Sequence, residues 1–207
     1  DGLKRLRISS IEITELNEDF LEVLKNEKII VNHMHIPLQA GSDTILKAMN
    51  RKYLTDYYSK KIKTIRSIRP GISISTDIIV GFPGETEELF NETLEFAFKM
   101  KFSKIHVFPF SVRRGTKAET MDNQIPENVK KERVKRLVAL SNILEEEYMK
   151  SFIGEKVEVL VETSDANVSI GHTDNFLKVR INENLPSNKM VKVKIEKLDN
   201  LVLEGIY

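Results

Sequence analysis

The 207-residue sequence contains no cysteine and no tryptophan. Without cysteine there can be no disulfide and no thiolate metal site within the chain. Apolar runs are short as well, and none approaches the roughly 18 residues that a membrane-spanning helix needs. The start, Asp1-Gly2-Leu3, has neither an initiator methionine nor the apolar stretch of a signal peptide. A strand-like run begins almost at once, at residues 4–9, which predicts a cut inside a domain. The missing export signal predicts a cytoplasmic protein. Excess charge of one sign is lacking too: 32 Lys+Arg against 31 Asp+Glu give a net +1. The chain as a whole is therefore no polycation, and nucleic-acid binding would have to come from a local patch. What is present, 41% hydrophobic and 30% charged residues, suits one large domain or two small ones.

Two periodicities divide the chain near residue 150. Before it, apolar residues recur first at strand spacing and then at helical spacing. Strands are expected over residues 5–11, 31–38, 72–80 and 104–110. Helices are expected from Asn17 as cap through Leu24, from Ser42 through Met49, from Thr55 through Ile68, over 85–101, and from Pro126 to about Tyr148. In the helix over 85–101, Leu89, Phe90, Thr93, Leu94, Ala97 and Phe98 should face inward. Strands separated by helices imply βαβ units and a parallel sheet. Four such units make only part of a barrel, so an open sheet with residues 5–11 on its edge is expected. After Phe152-Ile153-Gly154 the helices stop. Short strands over 156–162, 168–171, 176–181, 190–195 and 201–207, parted by turn residues such as Asp165-Ala166-Asn167 and Pro186-Ser187-Asn188, predict a small closed β-barrel. The fold class is thus α/β, an open partial β/α barrel over residues 1–149 followed by an all-β barrel over 150–207.

Four strand ends carry polar or glycine-containing clusters. They are Ser9-Ser10-Ile11-Glu12, residues 37–43 (Pro-Leu-Gln-Ala-Gly-Ser-Asp), Asp77 with residues 81–86 (Gly-Phe-Pro-Gly-Glu-Thr), and residues 108–116 (Phe-Pro-Phe-Ser-Val-Arg-Arg-Gly-Thr). Ligands of α/β sheets and barrels sit at the C-terminal strand ends, so the four together are expected to line one pocket. The loop from Gly81 to Glu85 leads into a helix, where free backbone N–H groups would suit an anion. Glu12 and Asp77 would either bind an ammonium or ribose hydroxyls, or cap a helix. His33, His35, His106 and His172 lack the spacing of a metal motif, so no metal ligand is assigned.

Residues 101–136 hold ten Lys/Arg against four Asp/Glu. Arg113 and Arg114 stand beside Phe108 and Phe110, a composition suited to gripping a nucleic-acid backbone and stacking on bases. Lys130, Lys131, Arg133, Lys135 and Arg136 either join that patch or form a solvated helix face. Residues 151–207 count seven Lys/Arg against nine Asp/Glu, so charge gives the second domain no RNA role.

The order of these clusters, with Met49-Asn50-Arg51 between them, resembles the radical S-adenosylmethionine tRNA methylthiotransferase family over essentially the whole chain. Phe108-Pro109-Phe110-Ser111 and residues 171–176 (Gly-His-Thr-Asp-Asn-Phe) look most like its MtaB-type branch, which thiomethylates N6-threonylcarbamoyladenosine at tRNA position 37. The resemblance implies a TRAM domain, a small OB-like RNA-binding barrel, at the C-terminal end. It implies S-adenosyl-L-methionine as cofactor and two 4Fe-4S clusters in the full-length protein. The cysteines for both clusters are missing here, so no catalytic residue is assigned and an inactive fragment is expected. It further implies that a 5′-deoxyadenosyl radical abstracts hydrogen from adenine C2, where a methylated sulfur is then added. By strand-end position Glu12, Gln39, Arg51 and Asp77 would hold the S-adenosylmethionine, with Gly81 permitting close approach. Arg113 and Arg114 would grip the tRNA anticodon arm, and a reductant protein would serve the whole enzyme. Ala40 departs from the family's common Ser. The alternatives are a non-catalytic RNA-binding protein, a phosphate-binding barrel enzyme using the Gly81 loop, or a methylthiotransferase acting on isopentenyladenosine tRNA or a ribosomal protein.

Overall fold

The two periodicities build two sheets of different kind in a computed structural model that describes residues 2–207. In the first part, β1 (His33–His35), β2 (Ser73–Val80) and β3 (Lys104–Pro109) pair in parallel in the order β1-β2-β3. Helices α2 (Asp43–Ala48) and α3 (Thr55–Ile68) connect the first pair, and α4 (Glu87–Met100) connects the second. Each strand pairs with the next in sequence, as in a singly wound barrel wall, and the sheet stays open.

Residues 5–11 do not form the expected strand. Leu6 makes one parallel bridge to Ile30, and the Ile11 N–H donates to the His35 carbonyl at 3.1 Å. The segment runs along the sheet edge without a continuous ladder. Beyond β1 the chain returns to β2 once more, at a Gln39–Ile78 bridge.

Local chemistry fixes the helix ends. The Asn17 side chain accepts from the Phe20 N–H at 2.8 Å and starts α1 (Glu18–Asn26), and Thr86 accepts from the Leu89 N–H to start α4. Two caps differ from expectation. Ser42 stands at the start of α2, but its hydroxyl makes no capping bond. Thr55 is the first residue of α3 rather than its cap, and the Asp43 carboxylate accepts its N–H at 2.9 Å. In α4 the buried positions are Phe90, Thr93, Ala97 and Met100. Phe98, expected inside, is 55% exposed because the buried stripe passes to Met100 instead.

The sheet's two faces are unlike. One is apolar: Met34, Ile74, Ile78, Val80 and Ile105 pack with helix residues such as Tyr58, Ile62 and Phe90. The other carries His33 and His35 on β1, Ser73, Ser75 and Asp77 on β2, and Lys104 and His106 on β3, in register across the ladders. Parallel strands are ordinarily apolar on both faces. A polar face here is the surface that a barrel interior would present.

The long helix α5 (Glu127–Lys150) packs along β3 and leads into the second part. There β4 (Lys156–Asp165), β5 (Val168–Thr173), β6 (Lys178–Ile181), β7 (Met190–Asp199) and β8 (Val202–Ile206) close a barrel in the order β4-β5-β6-β8-β7. Burial alternates along β7, where Val191, Val193 and Ile195 point inward, as a strand period of two requires. With Val159, Val161, Val179, Ile181 and Leu203 they form a separate core that Met149 of α5 joins. Gly171 has no room for a Cβ, because the Leu160 backbone lies against it where β4 and β5 cross closely.

The two parts are bonded at the N-terminal end of the sheet. The Arg5 guanidinium donates to the His172 and Glu158 carbonyls, each at 2.9 Å. Asn32 donates to Asp174 at 2.6 Å, and Asn175 donates to the Gly71 carbonyl at 2.9 Å. The turn after β5 therefore plugs that end of the sheet, leaving the opposite end free.

Candidate active site at the strand ends

A cleft of about 820 Å³ opens at the C-terminal ends of the strands. Among the residues lining it are Gln39, Arg51, Asp77 and Arg113, with Phe82, Phe108 and Phe110 as apolar wall. Parallel strands bring these together because each strand ends at the same level and its following loop turns over that end.

Gln39 lies just past β1 with a positive φ of 71°, a conformation that L residues rarely adopt. Its N–H donates to the Asp77 carbonyl and its carbonyl accepts from Ile79, so the ladder to β2 holds the unusual backbone in place. Arg51 follows α2 and pairs with Glu12 at 3.4 Å. Its Nε is buried without a partner among the described residues, a donor left for a ligand. Glu12 itself stands on the rim, half exposed and tied to the cleft through Arg51. The Asp77 carboxylate lies 3.2 Å from His35 Nε2. Phe82 and Phe110 meet edge to face at 5.0 Å, forming an apolar shelf.

Gly81 is placed differently from the expected ligand contact. Its N–H donates to the Glu85 carboxylate at 2.6 Å, and the Lys130 side chain occupies the space a Cβ would fill. The glycine is required for helix packing, and the loop's N–H is already taken by an anionic side chain. A phosphate cradle at this loop is therefore ruled out as the reading of Gly81 to Glu85.

The basic stretch is also redistributed. Lys130 and Arg133 are buried, not solvated. Arg133 bonds the buried Glu85 carboxylate and the Glu85 carbonyl, each at 2.8 Å, and Arg136 pairs with Glu87 and Asn91. Burial raises the Glu85 pKa, while the Gly81 N–H and Arg133 oppose that shift. Arg113 and Arg114 remain exposed on the loop after β3, and Arg113 lines the cleft.

Sequence reasoning missed one constellation. His35, Asp77 and His106 converge on the polar face with their ligand atoms all within 4.8 Å of one another. The available signal was the alternation of polar residues within strands: His33 and His35, then Ser73, Ser75 and Asp77, then Lys104 and His106.

The chemical demands of S-adenosylmethionine fit this cleft: a carboxylate for an ammonium or hydroxyls, a buried guanidinium donor for a carboxylate, and aromatic surface for an adenine. Iron–sulfur clusters do not fit the chain's own donors, since it has no cysteine.

Comparison with known proteins agrees with this geometry. The Radical SAM superfamily model matches residues 1–97. The threonylcarbamoyladenosine tRNA methylthiotransferase MtaB of Bacillus subtilis is 46% identical over 99% of this chain and 47% of its own length. A tRNA-2-methylthio-N(6)-dimethylallyladenosine synthase of Acetivibrio thermocellus is 39% identical over 99% of this chain and 43% of its own length. The chain thus spans about half the length of these relatives. Among solved structures, coproporphyrinogen III oxidase (HemN) of Escherichia coli, a radical SAM enzyme, aligns with a TM-score of 0.55 at 21% identity. That alignment covers 68% of this chain and 32% of the other, and it speaks to fold alone. Over nearly all of its residues the chain is similar to tRNA methylthiotransferases, and residues 1–97 match the radical S-adenosylmethionine superfamily.

Proposed function

We propose that the chain is the C-terminal portion of an enzyme that adds a methylthio group to C2 of N6-threonylcarbamoyladenosine at position 37 of tRNA. The observation that carries this reading is the strand-end cleft with Gln39, Arg51 and Asp77 on its walls, in a chain 46% identical to an MtaB. Bound there, S-adenosylmethionine supplies the hydrogen-abstracting radical and the methyl group when the whole enzyme's clusters are present. The chain's own residues bind and orient. Asp77 offers a carboxylate to the ammonium or ribose hydroxyls, and the free Nε of Arg51 meets the cofactor's carboxylate. Glu12 holds the Arg51 fork from the rim. The Phe82–Phe110 shelf excludes water from the cleft. Arg113 and Arg114 hold the phosphates of the anticodon arm at its mouth, and the five-stranded barrel acts as a TRAM-like RNA-binding domain. Without cluster cysteines the 207-residue chain alone is inactive, and the full-length enzyme draws its electrons from a reductant protein in the cytoplasm.

Two measurements test this. Equilibrium dialysis of the chain with S-adenosylmethionine should show binding that Asp77→Asn and Arg51→Ala each weaken at least about tenfold. Nucleoside analysis of tRNA from cells lacking the full-length gene should show loss of the 2-methylthio group from N6-threonylcarbamoyladenosine. Loss from the dimethylallyladenosine nucleoside instead would assign the substrate named for the Acetivibrio thermocellus relative. No change in either would leave a non-catalytic RNA-binding role.

A further inference from the structure

The polar face of the sheet holds more than a cofactor-binding carboxylate. His35 on β1, Asp77 on β2 and His106 on β3 come from three adjacent strands. Asp77 and His106 are direct cross-strand partners, and His35 is in register with Ser75, two residues before Asp77 on the same face. All three ligand atoms lie within 4.8 Å of one another.

His35 carries an outer contact of the kind that orients a ligating imidazole. His35 Nδ1 meets Ser75 Oγ at 3.0 Å, which leaves Nε2 toward the Asp77 carboxylate at 3.2 Å. A histidine whose second ring nitrogen is fixed by a hydrogen bond presents the first in one orientation, the usual arrangement around bound metals. Ligand atoms about 2.0–2.1 Å from a zinc ion stand roughly 3.4 Å apart. The His35–Asp77 pair already meets that spacing, and His106, exposed on the edge strand, has room to close the remainder.

We propose that His35, Asp77 and His106 form a divalent transition-metal site of two imidazoles and one carboxylate. This donor set suits zinc, iron(II), cobalt(II) or nickel(II) and leaves coordination positions open. The trio sits between two hollows: Asp77 lines the strand-end cleft, whereas His35 and His106 line a smaller cavity under Phe176. The open positions therefore face space that a water or an oxygen ligand can fill. The site shares Asp77 with the proposed S-adenosylmethionine contact but stands on its own geometry.

The test uses the untagged chain without S-adenosylmethionine, so that its failure says nothing about cofactor binding. Zinc titrated calorimetrically should bind one to one. His106→Gln, an exposed position that the fold tolerates, should weaken zinc by more than Ser75→Ala, which should cost roughly tenfold or more through the lost second-sphere bond. His172→Gln, on the other domain, should change nothing. As an independent reading in the unaltered protein, zinc should shift the imidazole resonances of His35 and His106 together and spare His172. Absence of stoichiometric binding, binding that survives His106→Gln, or zinc shifts confined to His33 or His172 would overturn the proposal and leave the trio a hydrogen-bonded lining.

Discussion

The Arg7 guanidinium lies over the Phe176 ring, 3.6 Å from its centroid. The His172 ring stacks at 4.8 Å from the same phenyl group, and His33 approaches it at 5.4 Å. One aromatic side chain from the turn after β5 is thereby gripped by both domains, and Phe176 itself sits at a positive φ of 63°.

Phe176→Ala should therefore loosen the join between the domains. A cation over an aromatic face contributes about 0.5–2 kcal/mol depending on desolvation. A double-mutant cycle of Arg7→Ala and Phe176→Ala, read by urea unfolding, should return a coupling in that range. Additive effects would mean the contact carries no energy.

The Glu85–Arg133 pair should be far more costly to break than any surface ion pair. Both side chains are nearly inaccessible, and they also anchor the Gly81 loop to α5. Arg133→Met alone should destabilise by about 3–5 kcal/mol, because it leaves a carboxylate buried and unpaired. Adding Glu85→Gln should recover part of that loss. Thermal unfolding of the single and double variants separates the two contributions.

His33 should make the chain sensitive to mild acid. Burial, then the nearby Arg7 with His35 and His106, pushes its pKa down from 6.5 to about 4. The unfolded chain thus takes up this proton at a higher pH than the folded one. The stability from a neutral His33 is complete above about pH 6.5 and is lost as pH falls toward about 4. Allowing for partial solvent screening, the expected loss is about 1–2 kcal/mol. Denaturation midpoints across that window should fall in the unaltered protein and fall less in His33→Gln.

Arg113 and Arg114 should account for part of the salt dependence of RNA binding. Each phosphate contact releases counterions, so affinity falls with salt. In titrations of an anticodon stem-loop at several salt concentrations, Arg113→Ala/Arg114→Ala should weaken binding and flatten the slope by about one to two units. Lys130, Arg133 and Arg136 are engaged within the protein and should contribute little. A slope unchanged in the double variant would make the two arginines a solvated loop.

Much of the architecture was legible in the order of residues. Helical spacing, with Asn17 as cap, marked α1 and α4, and the short apolar run at residues 190–195 marked a strand. These are local relations, written into stretches of fewer than about ten residues. The clustering of Gln39, Arg51, Asp77 and Arg113 followed as well, because parallel strands place their C-terminal ends side by side.

Tertiary structure alone decided the partners. Residues 5–11 have strand-like composition, yet an edge position with one bridge gives them no ladder. Gly81 reads as an anion-binding turn, but Lys130, 49 positions further along a different helix, fills its open side. Arg133 and Lys130 look solvated in a charged helix, and the fold buries them against a carboxylate and a glycine. His35, Asp77 and His106 become one cluster only through the register of three strands, since no spacing within the chain encodes which residues face one another across a sheet.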